Sequence, residues 1–258
     1  MKLTLIFFLV GITILSAQAD SVVWKHYARG GIVIADSTSG GLGYYRINRR
    51  SETIFRDLRL FAYGLKKDAF IYLRYKSSDK YETHPKFYRY TTTSYRKNTR
   101  AGVDLQYHFN QGFGMFVKEY KNGLMNLKKY SSGLMNLEIG HAFDMSDYLN
   151  ETRKTSYVKT AFFWDHDGSG FSTKLELEHF RQISEINVNN LSRNQYMFVL
   201  IIPLKNSVSL NMIYEMENYL ENKRGNVSSI TFSVGKKGNL KGNKIYKFFM
   251  DKSLRIFK

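Results

Sequence analysis

The chain has 258 residues and no cysteine, which excludes a small scaffold held together by disulfides. Its 39 Lys and Arg residues against 22 Asp and Glu residues give a formal charge of +17, which predicts anionic partners. Nucleic acid is the weakest candidate among these partners, because the sequence shows neither a recognition helix nor a basic helical face. We therefore predict no nucleic-acid partner.

Residues 1–19 have the pattern of a cleaved secretory signal peptide. Lys2 precedes an apolar run from Leu3 to Leu15, and the small-residue site Ala17-Gln18-Ala19 follows. The run is shorter than the roughly 20 apolar residues that a spanning helix needs. We therefore predict an exported chain whose mature part begins near Asp20.

The rest of the chain alternates between apolar and polar residues, which is the periodicity of β-strands with two different faces. Ala101–Phe109 and Val208–Glu217 show the alternation most clearly. Export, the absence of cysteine and an aromatic content of 16% favour apolar faces that point outward into lipid. The sequence thus predicts an all-β fold, a transmembrane antiparallel up-and-down β-barrel in the outer membrane of a Gram-negative cell.

In chain order, the alternation predicts the strands Val22–Ala35, Thr53–Leu65, Ala69–Lys76, Ala101–Phe109, Phe113–Tyr120, Leu137–Phe143, Tyr157–Trp164, Thr173–Arg181, Tyr196–Pro203, Val208–Tyr219 and Val227–Gly235. We expect ten to twelve strands in all. The connections include a turn-rich stretch at Asp36–Gly43, a short turn at Asn110–Gly112 and a tight one at Leu204–Ser207. Ser77–Arg100 is predicted to be a long basic loop or a projecting hairpin.

Three further connections, Asp144–Ser156, Gln182–Asn194 and Leu220–Asn226, are predicted to be longer and polar. The up-down parity of the strands fails around the first of these, so one strand is missing there or is hidden in a duplicated segment. That duplication repeats Gly123–Leu127 as Gly133–Leu137.

The predicted barrel covers residues 20–235 and closes on the strand that ends at Gly235. The remaining residues, 236–258, form a basic C-terminal extension that is either periplasmic or adds a strand.

No residue pattern predicts an enzyme, a catalytic residue or a cofactor, because the six His residues are scattered. Asp165 to Glu176 matches several positions of an EF-hand calcium loop, although Ser172 stands where that loop has an apolar residue. A tight hairpin turn explains the same residues and is the interpretation we favour. We therefore predict no metal site, and a soluble calcium-binding β-protein is the less favoured alternative.

Basic residues on the predicted inner faces are the candidate solute-binding residues: Arg59, Arg74, Lys76, Lys118, Lys159 and Lys174. Acidic residues predicted to face them as partial counter-charges are Asp57, Asp104, Glu176, Glu178, Glu215 and Glu217. Charged side chains are tolerated in a water-filled lumen, and opposing ladders of charge orient a field across a narrow channel. In the alternative arrangement, the same charges pair across a closed, packed barrel.

The motif Arg29-Gly30-Gly31, the strands around Asp57 and Arg59, and the hairpin from Phe198 to Glu217 together resemble the oligogalacturonate-specific porin family. These are small monomeric twelve-stranded outer-membrane channels that include sialic-acid porins. The resemblance implies an arginine-lined pore for acidic oligosaccharides. The chain departs from the family in its extra C-terminal residues and in the apolar strand at Val199–Ile202.

These observations predict an outer-membrane porin for passive uptake of small anionic solutes, such as acidic oligosaccharides. We expect a monomer in contact with outer-membrane lipid and lipopolysaccharide. The alternative is a non-conducting outer-membrane barrel whose cationic loops bind lipopolysaccharide or a surface partner.

Overall fold

A computed structural model describes residues 24–35, 38–66, 68–99, 102–121, 131–148, 151–185, 190–221 and 227–240. Within these ranges the chain forms twelve strands: β1 (Trp24–Ala35), β2 (Thr38–Arg50), β3 (Ile54–Leu65), β4 (Ala69–Lys80), β5 (Phe87–Asn98), β6 (Val103–Lys121), β7 (Ser131–Tyr148), β8 (Glu151–Gly168), β9 (Ser172–Gln182), β10 (Arg193–Pro203), β11 (Val208–Tyr219) and β12 (Val227–Leu240). Neighbours in sequence pair antiparallel, and β12 pairs with β1 to close the barrel. The predicted up-and-down β-barrel is confirmed, with twelve strands.

The outer surface of the barrel is apolar, as predicted. On β3 and β4, Leu60, Ile71 and Leu73 are exposed, whereas their chain neighbours point into the lumen. The same holds around the barrel for Ile32, Ile34, Phe113, Leu137, Ile139, Leu210, Ile230, Phe232 and Val234. Large apolar side chains in such numbers on an outer face match a lipid surface. Among the described residues, no helix is long and apolar enough to span a membrane.

Four predicted connections are wrong, because they belong to strands. β2 covers most of the predicted turn Asp36–Gly43, β5 lies in the predicted loop Ser77–Arg100, and β6 runs through Asn110–Gly112. The predicted loop Asp144–Ser156 consists largely of the end of β7 and the start of β8. The eleven predicted strands therefore lack both β2 and β5 and divide β6 into two, so the parity error does not arise around Asp144–Ser156 as predicted.

The glycines of β2 explain why this strand looks like a turn in the sequence. A Cβ atom added at Gly40 would lie 1.8 Å from the backbone oxygen of Gly64 on β3. Glycine thus permits close contact between two strands here, whereas in the sequence it suggests a change of chain direction. The predicted tight turn at Leu204–Ser207 is present, and Asn206 and Ser207 adopt positive φ angles of 60° and 61°.

The chain ends and the duplication are only partly described. β12 continues to Leu240, so residues 236–240 of the predicted extension belong to the barrel. The predicted signal peptide, residues 1–19, and residues 241–258 lie outside the described residues. Gly123–Leu127 also lies outside them, whereas Gly133–Leu137 is part of β7.

Candidate functional site

The lumen contains a cavity of about 700 Å³. Its lining extends from Lys25 and Asn239, at the end of the barrel where β1 begins and β12 ends, to Asn98 and Arg193 near the opposite end. Every second residue of each strand points away from lipid, and these inward residues are mostly polar or aromatic. The cavity therefore follows the length of the barrel and is lined by titratable side chains.

Three arginines stand side by side on neighbouring strands on one side of this cavity. Arg46 on β2 is the direct cross-strand partner of Arg59 on β3, which in turn is the partner of Arg74 on β4. Like charges placed directly opposite each other in a sheet repel. The row therefore needs anions to hold it together.

Two carboxylates supply this compensation. Asp57 is almost completely buried and accepts hydrogen bonds from the Nε atoms of Arg46 and Arg59, each at 2.5 Å. Glu176 approaches from β9, with one carboxylate oxygen 3.7 Å from Arg59 Nη1 and the other 3.9 Å from Arg74 Nη1. Three guanidinium groups thus share two carboxylates, and the contacts of Glu176 are long, so positive charge dominates this part of the lumen.

A second network is more tightly paired and lies on β4, β7, β8 and β9. Lys76 binds Glu138, and Lys159 lies 2.8 Å from Glu178 and 3.9 Å from Glu138. Tyr88 donates a further hydrogen bond to Glu138 at 3.0 Å. Lys159 and Glu138 are 2% and 3% exposed, so the network is largely buried, and Lys159 and Glu178 border the cavity with their charges already paired.

A third network crosses the lumen near the end of the barrel opposite to the chain ends. Arg193 on β10 contacts Asp144 at 2.9 Å and Glu217 at 3.3 Å, while Arg96 on β5 binds Glu217 at 2.8 Å. Asp144 also binds His108. These charged side chains thereby connect strands on different sides of the barrel. In this part of the lumen the structure matches the alternative in which charges pair across the barrel.

Five of the six predicted solute-binding residues have side chains on the inner faces: Arg59, Arg74, Lys76, Lys159 and Lys174. The first two belong to the arginine row, and the next two to the buried network. Lys174 pairs with Asp165 at 3.2 Å, and both are partly exposed. The structure therefore separates the predicted set into different environments.

The placement of Lys118 is wrong. The register of β6 shifts between Phe116 and Lys118, so that Lys118 pairs with Met135 on the outer face of β7. A bulge inserts one residue and reverses the facing of all residues beyond it. Asp104 is likewise not a lumen counter-charge, because it is exposed and binds Lys97 at 2.6 Å on the outside.

Four arginines that line the lumen are absent from the predicted set: Arg29, Arg46, Arg96 and Arg193. Arg29 lies within the first predicted strand, on the same face as Tyr27 and Gly31, so its inward position could have been predicted. Arg96 and Arg193 lie in β5 and β10 at positions predicted to be connections, and Arg46 lies in β2 between the predicted turn Asp36–Gly43 and the predicted strand Thr53–Leu65. Polar residues on both faces of these segments hid the strand periodicity.

The calcium-like motif forms the β8–β9 hairpin, as the favoured interpretation predicted. Asp165 pairs with Lys174, and Glu176 contacts the arginine row, so both carboxylates already have cationic partners within the protein. Within the described residues, no three acidic or histidine side chains come together as a candidate metal site. His166 accepts or donates a hydrogen bond with the hydroxyl of Tyr120 at 2.8 Å.

No protein-family model matches the chain, and no curated protein matches it. Solved structures do match. The NanC porin aligns with 81% of this chain and 97% of its own, at a TM-score of 0.52 and 8% identity. The KdgM porin aligns with 83% of this chain and 98% of its own, at a TM-score of 0.43 and 10% identity. The match to the NanC porin confirms the predicted resemblance at the level of the fold: the chain has the fold of an outer-membrane porin.

Proposed function

We propose that this chain is an outer-membrane porin for the passive uptake of small anionic solutes. The observation that supports it best is the row of Arg46, Arg59 and Arg74, which faces the cavity with Asp57 and Glu176 as its only ion-pair partners among the described residues. A cleft with an excess of one charge and low-dielectric walls concentrates ions of the opposite sign. Anions should therefore enter and cross the lumen more readily than cations.

Arginine suits this role better than a point charge, because the planar guanidinium group can hold a carboxylate through two parallel hydrogen bonds. Binding must also be weak enough for release on the other side. Several guanidinium groups within one cavity give a carboxylate successive positions of this kind. Acidic oligosaccharides, which the resemblance implies, have carboxylates on successive rings and are the first solutes to test.

In this proposal the protein is a monomeric channel with no catalytic step. Its outer surface contacts lipid and the lipid part of lipopolysaccharide. The buried networks around Lys159 and Asp144 hold the barrel in shape, and the solute passes along the side formed by β1 to β4.

Single-channel recording in planar bilayers tests the proposal directly. We expect discrete conductance steps with a reversal potential that indicates anion preference under a salt gradient. Changing Arg59 and Arg74 to Glu should lower or reverse that preference. Lys118→Gln is the matched control, because it removes a cation from the outer face, and it should leave the preference unchanged.

Two outcomes would contradict the proposal. One is an anion preference that survives the double change at Arg59 and Arg74. The other is a folded, heat-modifiable barrel that never conducts, which would favour the alternative of surface binding. Of the basic residues of Ser77–Arg100 that would serve such binding, Arg96 lies in the lumen, whereas Lys86, Arg89 and Lys97 do not line it; neutralising these three would then be expected to weaken binding to lipopolysaccharide.

A further inference from the structure

A continuous group of aromatic side chains covers the inner faces of β1 to β4. It consists of Tyr27, Tyr44, Phe61, Tyr63, Phe70 and Tyr72, here called the aromatic wall. Each ring touches the next: the centroids of Tyr27 and Tyr44 are 6.0 Å apart, and those of Tyr44 and Phe61 are 6.3 Å apart. Tyr63 and Phe70 are stacked, with centroids 4.9 Å apart and planes within 5°. The wall arises because four neighbouring strands place aromatic residues at adjacent inward positions.

The aromatic wall borders the lumen cavity, and two of its rings, Phe61 and Tyr63, are almost completely buried at 6% and 8% exposure. All six of its residues line the lumen cavity, and Tyr44, Phe70 and Tyr72 are only partly buried. The tyrosines on the other side of the lumen differ. Tyr88 and Tyr90 are 4% and 2% exposed, and their hydroxyl groups donate to Glu138 and Asn110. Those two rings are packing elements, whereas Tyr44, Phe70 and Tyr72 of the aromatic wall leave ring surface available to a solute.

Arg29 adds a cation to this surface. Its guanidinium carbon lies 4.1 Å from the ring centre of Tyr44 and 5.9 Å from that of Phe61. Its Nε atom has no hydrogen-bond partner, and Arg29 takes part in none of the ion pairs found within 4.0 Å among the described residues. Glu215 on β11 is the acidic group that acts on it from a longer distance. Arg29 is thus a lumen arginine held by aromatic rings, with donors left for an anion.

We infer that the lumen selects carboxylates that have an apolar ring face, because the aromatic wall can stack against the ring while Arg29 binds the carboxylate. This inference rests on the proposed function and specifies the class of solute. A carboxylate without a ring would use only the arginines. Aromatic acids and uronic acids share the required chemistry, since the C–H face of a pyranose and the face of a benzene ring both stack on aromatic side chains.

The size of the cavity is consistent with this class. Pockets for small organic ligands measure about 300–1,000 Å³ and have mostly apolar or aromatic linings with few polar anchors. The cavity of about 700 Å³ lies within that range, and the side formed by β1 to β4 combines the aromatic wall with several basic anchors, more than such a pocket usually has. A bare inorganic anion would need neither the volume nor the rings.

Channel block in planar bilayers tests the inference. Chloride current through the wild-type protein is recorded with increasing benzoate, glucuronate or acetate, three anions of equal charge at neutral pH. We expect benzoate, glucuronate or both to reach half-block at a concentration roughly fivefold lower than acetate, as expected for one aromatic contact. Whichever ring acid blocks identifies the source of the ring, aryl or sugar.

Variants locate the effect. Tyr72→Leu removes a ring of the aromatic wall without touching Arg29, and Tyr44→Leu removes the ring under its guanidinium group. Both should reduce the ratio of acetate to ring-acid half-block to below about twofold. Tyr45→Leu is the matched control, because Tyr45 lies on the same strand but is 39% exposed on the outer face; it should keep the wild-type ratio. A heat-modifiability gel shift checks that each variant is folded. If one of the two variants of the aromatic wall does not fold, the other still tests the inference.

The inference is wrong if acetate blocks as well as both ring acids, or if removing Tyr44 or Tyr72 leaves the ratio unchanged. The reversal potential measured in the same membranes separates these failures from failure of the proposed function. Anion preference without discrimination between the ring acids and acetate would overturn only the role of the aromatic wall. If the wild-type protein shows no anion preference, the porin proposal itself is overturned.

Discussion

The two lumen carboxylates Asp57 and Glu215 offer a test that separates charge selectivity from stability. Asp57→Asn and Glu215→Gln each remove one negative charge from the lumen with little change in side-chain shape. Both should therefore increase anion preference. Their effects on folding should differ, because Asp57 is held between two arginines, whereas Glu215 is in none of the ion pairs formed by the described residues.

The expected loss for Asp57→Asn follows from its contacts. The carboxylate is 1% exposed and accepts hydrogen bonds from Arg46 and Arg59, both at 2.5 Å. A hydrogen bond to a charged group contributes roughly 1.5–3 kcal/mol. Asparagine keeps one acceptor oxygen but loses the charge, so two guanidinium groups repel each other with less compensation. We expect the free energy of unfolding to fall by about 2–4 kcal/mol.

For Glu215→Gln the expected change is within about 0.5 kcal/mol, the range of a substitution that breaks no specific contact. Urea unfolding of the refolded protein in detergent, followed by fluorescence of Trp24 and Trp164, measures both values against wild type. Anion preference is measured on the same preparations. Equal stability of the two variants would refute the assignment of Asp57 as the residue that holds the arginine row together.

Two further pairs of variants test the packing of the lumen. Lys159→Met should lower the free energy of unfolding by about 3–5 kcal/mol, because it leaves Glu178 without its close cation and Glu138 with Lys76 alone, whereas Lys174→Met removes a partly exposed pair and should cost less than about 1 kcal/mol. Gly140→Ala should cost about 1–3 kcal/mol, since the new Cβ would lie 2.3 Å from the backbone oxygen of Gln111. Gly43→Ala meets no atom within 4 Å and should be nearly neutral, so equal urea midpoints for either pair would contradict the packing described.

The fold could be predicted from the sequence wherever one face of a strand is apolar and the other is not. Thr53–Leu65 and Ala69–Lys76 were predicted with the correct facing for this reason. β5 escaped prediction because its outward face includes Thr91 and Thr93 while its inward face is also polar. Two polar faces give the same pattern as a solvated loop, so alternation has no contrast to detect. In β2 the contrast between an apolar and a polar face is lost because glycine occupies several positions.

The candidate site was predictable only in part, for a different reason. Alternation places Arg59 and Arg74 on the inner face, but it does not state which residue on the next strand stands beside them. The register that aligns Arg46, Arg59 and Arg74 depends on hairpin geometry at two connections. The bulge that moves Lys118 to the outer face has no clear signal in the sequence either. Long-range pairing therefore decides the chemistry of the lumen.

The distribution of charge suggests how a narrow barrel can be both stable and permeable. On the side formed by β5 to β9, buried cations such as Lys159 have close carboxylate partners, so their charge is compensated and their positions are fixed. On the side formed by β1 to β4, and among the residues that the structure describes, Arg74 has only a 3.9 Å ion-pair contact to Glu176, and Arg29 is stacked on Tyr44 instead of being paired. An anion that enters on this side gains interactions that the protein itself leaves incomplete. Tight pairing on one side of the lumen thus preserves the open, cationic surface on the other.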